Sequence, residues 1–375
     1  MKIVLISNYV PDAQYSMLNY ARMMERLLAA RGHQVSTVHP PVLSGRLPIR
    51  HGGLAKWIRY IDKYVLAWPW LWWKSRGAEL VHVCDHANSM YLKCAGKRPS
   101  VITCHDLIGV RGGLGEFAEV QVGKTGRVLQ KWIARGLGRA EFVICDSYST
   151  REDFQRVCSP SKAECRVIHL PLNRKCSAAS EEEVKETLRG LGLTPGTEYL
   201  LQVGGNGWYK NRLGAMRIFA ELRKSPEFRD VRLIMAGSPW TPEMRELAQQ
   251  SALQGVTVEA ADLPDAALNA LYTGARALLF PSLMEGYGWP ILEAQACGCP
   301  VITTNRAPMT EVAGEAAILI EPENIEGSAR TILERWAEIG ALREAGYRNL
   351  ERFSEGVVME AYEAAYAEVV QSWKG

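Results

Sequence analysis

The sequence predicts an α/β chain built from two doubly wound parallel sheets. Three features predict it: short apolar runs typical of buried strands, helical stretches between them, and one interruption after which the alternation starts again. From Lys2 to His169 the strand-like runs are KIVLIS, QVSTV, ELVHVC, SVITC, EFVIC and CRVIH. Helical spacing between them is clearest from Met17 to Ala30 and from Gly126 to Gly136. A polar, proline-containing segment around Leu170 to Gly196 interrupts the pattern, and EYLLQV, VRLIMAG, VTVEA, ALLFP, PVITT and AAILI then repeat it. Residues 1–172 and 173–352 are thus predicted as two domains, each the size of a mononucleotide-binding unit, facing each other across a cleft. In the last segment, 353–375, Val357, Val358, Tyr362, Ala365, Tyr366 and Val369 recur as one buried helical stripe.

Composition fits two ordinary cores, with 375 residues of which 47% are apolar. The net charge of +3 and a pI near 8.3 demand no nucleic acid as partner. Lys2 to Ser7, followed by Asn8-Tyr9-Val10-Pro11, reads as a buried strand entering a loop and not as a secretory leader. Nine cysteines without a C-x-x-C pair then imply reduced thiols and a cytoplasmic protein. Cys297 and Cys299 stand too close together for a zinc knuckle.

The segment FPSLMEGYGWPILE, from Phe280 to Glu293, ends a strand in a glycine-rich turn and restarts as a helix near Pro290. The free N–H groups of such a helix start point back into Glu285-Gly286-Tyr287-Gly288, which suits a phosphate or sugar hydroxyls. Glu285 and Glu293 flank this pocket, and a carboxylate accepts stronger hydrogen bonds from hydroxyls than a neutral group does. The bland account is a pair of solvated carboxylates at a helix end. A second turn, Gly204-Gly205-Asn206-Gly207-Trp208-Tyr209-Lys210, follows EYLLQV and sets a lysine over a phosphate-sized opening. Its alternative is an ordinary turn with a solvated lysine. His105 closes the strand SVITC at its carboxyl end, where side chains of such sheets enter the ligand crevice. The alternative there is a histidine tied to a neighbouring loop, and Asp106 is expected to order that loop.

The stretch from Leu278 to Pro322 resembles the signature of the family 4 retaining glycosyltransferases of the GT-B fold. The resemblance rests on Glu285 and Glu293, the turn Gly286-Tyr287-Gly288, the run from Glu293-Ala294 through Cys297-Gly298-Cys299-Pro300-Val301, and Glu311-Val312-Ala313-Gly314. A weaker likeness extends through His105-Asp106-Leu107, Cys145-Asp146-Ser147, Val203-Gly204-Gly205 and Lys210-Asn211. It implies two Rossmann-like domains and a last helix that crosses back to the first. It also implies a hexosyltransferase-type enzyme that takes a nucleotide-diphosphate sugar as donor and requires no cofactor or metal. Lys210 would neutralise the leaving diphosphate, Glu285 would face the donor sugar and phosphate, Glu293 would hold the ribose, and His105 would meet the donor sugar. Gly204, Gly205, Asn206, Gly286 and Trp289 would line the donor, with backbone N–H groups from Tyr287, Gly288 and Ile291; Pro290 has none. No protein nucleophile is evident, and retention in this family is described as a same-face substitution.

Two departures stand out. Relatives commonly carry an arginine where this chain has Asn206, so Arg212 either reaches in from the next helix as a substitute or stands exposed. The loop Pro11 to Ser16 lacks the paired glycine of relatives, and Gln14 and Ser16 either bond a substrate or cap the following helix.

Asp85-His86-Ala87-Asn88, with Gln14 and Ser16, is the expected acceptor side. His82, Asp85 and His86 cluster in sequence, but strand alternation sends His82 to another face and no complete ligand set is visible. The stretch KWIRYIDKYVLAWPWLWWKSR, Lys56 to Arg76, is too short in its apolar core to span a bilayer. It either rests on the inner face of an anionic membrane or on a lipid-linked acceptor, or packs beneath the sheet. The expected partners are a nucleotide sugar and a carbohydrate, lipid-linked or small-molecule acceptor in polysaccharide, glycolipid or glycoconjugate synthesis. Two alternatives remain open: a GT-B sugar-nucleotide epimerase, which needs no acceptor, and a non-catalytic nucleotide-sugar-binding protein.

Overall fold

The computed structural model describes residues 1–43 and 59–374. The chain divides into two units, Met1–Asn173 together with Glu355–Gly375, and Arg174–Ser354. Each is built on a six-stranded sheet in which every pair is parallel.

The first unit contains β1 (Lys2–Ile6), β2 (Gln34–Val38), β3 (Leu80–Val83), β4 (Ser100–Cys104), β5 (Phe142–Cys145) and β6 (Glu164–Val167), in the order β2-β1-β3-β4-β5-β6. Strands β3 and β5 are buried along their whole length, whereas the edge strands β2 and β6 are half exposed. This is why the inner strands read as continuous apolar runs: helices cover both faces of a parallel sheet. Those helices are α1 (Tyr15–Ala30), α2 (Ala67–Lys74), α3 (Ile108–Leu114), α4 (Lys124–Leu137) and α5 (Tyr148–Val157). Ser147 caps α5 by accepting from the Thr150 N–H. Strand order reverses between β1 and β3, so the loops after these two strands flank the crevice where such sheets bind ligands.

The second unit contains α6 (Glu181–Gly190), β7 (Tyr199–Gly204), α7 (Arg212–Leu222), β8 (Arg232–Gly237), α8 (Pro242–Ala248), β9 (Thr257–Ala261), α9 (Asp265–Gly274) and β10 (Ala277–Phe280). It continues with α10 (Trp289–Ala296), β11 (Val301–Thr304), α11 (Met309–Ala313), β12 (Ala317–Ile320), α12 (Ile325–Glu334) and α13 (Ala341–Leu350). The strand order is β12-β11-β10-β7-β8-β9, with its reversal between β7 and β10. All twelve predicted strands therefore form, six in each unit.

The final helix, α14 (Glu355–Lys374), belongs to the first unit. Its buried face is Val358, Met359, Tyr362, Ala365, Tyr366 and Val369. Val357, expected in that stripe, is 52% exposed, because it lies about 140° round the helix from Tyr362. The tyrosine hydroxyls end in partners: Tyr362 lies 2.9 Å from the Tyr20 hydroxyl, and Tyr366 lies 2.7 Å from Nδ1 of His82. His82 completes its bonding at Thr103 Oγ1, 2.7 Å from Nε2, and so does not join Asp85 and His86.

Of the aromatic segment, Lys56, Trp57 and Ile58 lie outside the described residues. Ala67 and Leu71 of α2 are buried in the core beside Val81 and Val83, as packing beneath the sheet requires. Trp70, Trp72 and Trp73 face outward, with Lys74 over the rings of Trp70 and Trp73 and Arg76 over that of Trp72.

Candidate active site

In the second unit the loops after β7 and β10 meet at the strand-order reversal. Two bonds join them: the Leu283 N–H donates to Tyr209 O at 2.7 Å, and Asn211 Nδ2 donates to Pro281 O at 3.0 Å. Asn211 holds a left-handed conformation, φ 49°, as α7 begins. This geometry brings Lys210 Nζ within 2.8 and 2.7 Å of the two carboxylate oxygens of Glu285. Both side chains are largely withdrawn from solvent: 19% of Lys210 and 8% of Glu285 is exposed.

Gly288, φ 116°, turns the chain into α10, with Pro290 in its first turn. The Ile291 N–H donates to Gly288 O at 3.0 Å. That amide, expected for a donor, is spent closing the first turn of the helix. Glu293 is buried one turn further on, and its Oε2 accepts from Arg174 Nη2 at 3.0 Å and from the Tyr272 hydroxyl at 3.1 Å. Neither Arg174 nor Tyr272 was among the expected residues. They lie 119 and 21 positions from Glu293, and no local spacing marks them.

Arg212 is 4% exposed and so is not a surface arginine. Its Nε donates to Gln202 Oε1 at 3.2 Å, and its Nη1 to Asn206 Oδ1 at 2.5 Å and Ser238 O at 2.7 Å. Asn206 Nδ2 in turn donates to Pro239 O at 2.8 Å. Gly204, Gly205, Asn206, Lys210, Arg212, Glu285 to Trp289, and Glu293 are thus gathered at one end of this sheet.

The first unit gathers its own set at its own strand-order reversal. Asn8, which the sequence did not single out, is the hub. Its Nδ2 lies 2.5 Å from both Asp85 Oδ2 and Gln14 Oε1, and its Oδ1 accepts from Asn88 Nδ2 at 3.1 Å. Asp85 also accepts from the Ala87 N–H at 2.9 Å. Burial opposes its charge, but His86, His105 and the Asn8 bond together hold its carboxyl below the usual range. His86 Nδ1 lies 3.2 Å from Asp85 Oδ1. Gln14 and Ser16 do not cap α1. Gln14 occupies the cap position but its side chain is turned to Asn8, and Ser16 lies inside the first turn and is exposed.

His105 is 4% exposed, with Nδ1 2.6 Å from Asp146 Oδ2 and Nε2 2.8 Å from Cys84 O. Both neighbours only accept, so a neutral ring satisfies one of them and a protonated ring both. Burial works against that charge, yet the Asp146 carboxylate beside it, helped by Asp85 and the Cys84 carbonyl, lifts the imidazole to about 9. The ring expected at the donor sugar is tied on both sides within its own unit. Asp106 orders the loop by accepting from the Ile108 N–H at 2.9 Å.

Comparison with known proteins places the fold and the family. Residues 184–347 match the family model of glycosyl transferases group 1, and residues 17–175 that of Glycosyltransferase Family 4. The O-antigen chain mannosyltransferase B of Escherichia coli is 29% identical over 275 residues, covering 72% of this chain and 70% of that one. A D-inositol 3-phosphate glycosyltransferase of Corynebacterium diphtheriae is 22% identical over 231 residues, 60% of this chain and 53% of that one. Among solved structures, sucrose-phosphate synthase from Thermosynechococcus elongatus superposes with a TM-score of 0.72 at 20% identity, over 99% of this chain and 100% of that one. Anabaena Alr3699/HepE in complex with UDP and glucose gives 0.70 at 16%, over 98% and 100%. With one family model on each half, two parallel Rossmann-like units beneath them, and the paired glutamates at a strand-order reversal, the chain belongs to the family 4 glycosyltransferases of the GT-B fold.

Proposed function

We propose that the protein is a retaining hexosyltransferase that moves a sugar from a nucleotide-diphosphate sugar to an acceptor hydroxyl during glycan assembly. The convergence of Lys210, Glu285 and the Arg174-held Glu293 on the carboxyl ends of β7 and β10 carries this reading, because ligands of such sheets bind there. The diphosphate lies against the glycine turn and the start of α10. Glu285 takes two of the three N–H donors of Lys210, and the third meets the leaving phosphate. Oε2 of Glu293 is held by Arg174 and Tyr272, which leaves Oε1 for the ribose hydroxyls.

In the transfer step the bond from the anomeric carbon to the phosphate oxygen breaks while the acceptor oxygen bonds that carbon on the same face. The departing phosphate oxygen takes the acceptor proton, so no protein nucleophile is used. Lys210 stabilises the charge developing on the leaving group. Recognition of the acceptor is assigned to the Asn8, Asp85, His86 and Asn88 cluster of the first unit. The mannosyltransferase relative makes mannose the first sugar to try, and the UDP held by the Anabaena protein supports a nucleotide donor.

We place the protein in the cytoplasm, in keeping with nine unbridged cysteines. Contact with the membrane surface is through the outward tryptophans of α2. No helix among the described residues is long and apolar enough to cross a membrane.

Thermal-shift titration with UDP, GDP, ADP, TDP and their common sugar conjugates tests the reading, since a ligand bound only to the native state raises stability. One base should give a selective shift that Glu293→Ala abolishes. Lys210→Met should cut turnover about 10²–10³-fold, a larger loss than the weakening of the nucleotide shift, and the product should retain the donor's anomeric configuration by NMR. No shift with any nucleotide, or an inverted product, overturns the assignment.

A further inference from the structure

The cations around the donor site are unequal. Lys210 lies against both oxygens of Glu285, and Arg174 lies against Glu293, so each of these pairs is close to neutral. A nucleoside diphosphate brings several negative charges to the site. Arg212 alone of these three cations has only neutral oxygens as hydrogen-bond acceptors: the Gln202 side chain, the Asn206 side chain and the Ser238 carbonyl. Its Nη2 is buried without a partner, and so is the neighbouring Gln202 Nε2. Glu259, the nearby carboxylate, is engaged by the Trp240 N–H at 2.6 Å and by Arg245 at 3.5 Å.

A buried guanidinium with no carboxylate bonded to it is costly to keep. The residue bonds the glycine turn at Asn206 and the Ser238 carbonyl, and Gly205, Ser238 and Pro239 also line a cavity of about 360 Å³. A charge held in so dry a place acts on its surroundings with little screening.

We propose that Arg212 supplies the net positive charge of the diphosphate subsite, acting as a positioning residue through Asn206 without touching the ligand. Arg212 fixes Asn206 Oδ1 while Pro239 fixes its Nδ2, so the turn that receives the phosphates is anchored by, and carries the field of, a cation with no carboxylate bonded to it. The inference rests on the donor reading given above.

Calorimetry separates charge from mere structure. The probes are whichever of UDP, GDP and ADP the wild-type protein binds most tightly, and the matching nucleoside monophosphate. Arg212→Gln should weaken the diphosphate about tenfold and the monophosphate far less, and should lessen the dependence of diphosphate binding on salt. Arg212→Lys, which keeps the charge while losing the fork, should recover most of the preference for the diphosphate. Asn206→Arg added to Arg212→Gln should recover it as well, by moving the charge into the turn.

Equal weakening of both probes, or a neutral variant that binds the diphosphate like wild type, overturns the proposal and leaves the donor site intact. If Arg212→Gln does not fold, an Arg212→Lys protein that has lost the diphosphate preference overturns it too. Failure of the wild type to bind any nucleoside diphosphate removes the donor reading itself, and this inference with it.

Discussion

His105 and His82 lie in the same buried layer and titrate in opposite senses. His105, flanked by Asp146 and the Cys84 carbonyl, is held at about 9 against an ordinary 6.5. Its contribution to stability is therefore complete below about pH 6.5 and is lost as pH rises through 9, an effect of at most about 3 kcal/mol. His82 is fully buried and, with the charge of His105 nearby, is pushed down to about 3. Its contribution is present above about pH 6.5 and is lost as pH falls towards 3. Melting temperature against pH should thus fall on both sides of roughly 6.5. His105→Asn should flatten the alkaline arm and spare the acid arm; an alkaline arm of unchanged slope would show that the ring is not held charged.

At the scale of elements, the donor site depends on how closely β7 and β8 approach at their carboxyl ends. Gly204 pairs with Gly237, and a Cβ on Gly237 would stand 2.3 Å from the Gly204 carbonyl oxygen, at a φ of +122°. Backbone cannot yield as a side chain does. Gly237→Ala should cost roughly 2–4 kcal/mol in urea unfolding and weaken nucleotide binding as the turn shifts. Gly205 is different, because a Cβ there meets only Ser238 Oγ at 3.4 Å. Gly205→Ala should stay within about 1 kcal/mol of wild type. Equal losses at the two positions would mean that close strand approach is not what makes glycine necessary. The glycine-rich turn was legible in the sequence, but which of its neighbours demands glycine was not, since the clash comes from another strand.

At the scale of the whole molecule, the first unit is completed by the other end of the chain. Tyr362 and Tyr366 close the bonding of Tyr20 and His82, and Arg26, Arg31 and Arg166 pair with Glu355, Glu363 and Glu368 along the rim of α14. Ending the chain after Ser354 would leave Nδ1 of the buried His82 without its partner, reduce Tyr20 to its Thr103 bond, and uncover the apolar face of α1 and β4. Calorimetry should then lose the transition of the first unit, and proteolysis should leave the segment from Arg174 to Ser354 as the resistant piece. A truncated chain with both transitions intact would show that α14 is dispensable. The stripe that makes this helix was visible in the sequence, but the hydroxyl contacts that seat it were not, because Tyr366 and His82 are 284 positions apart.

The sequence by itself determined the twelve strands, the two glycine turns, the start of α10 and the two glutamates. Each of these is set within a few residues, by apolar runs, by glycine and proline, and by helix-start chemistry. Only the tertiary structure decided the partners: Lys210 against Glu285 across 75 positions, Glu293 against Arg174 across 119, and His105 against Asp146 across 41. It likewise turned Gln14 to Asn8 and buried Arg212 against Asn206 of the turn. The order of strands in a parallel sheet sets which loops become neighbours. Each charge's environment follows from that order, and not from the residues beside it in the chain.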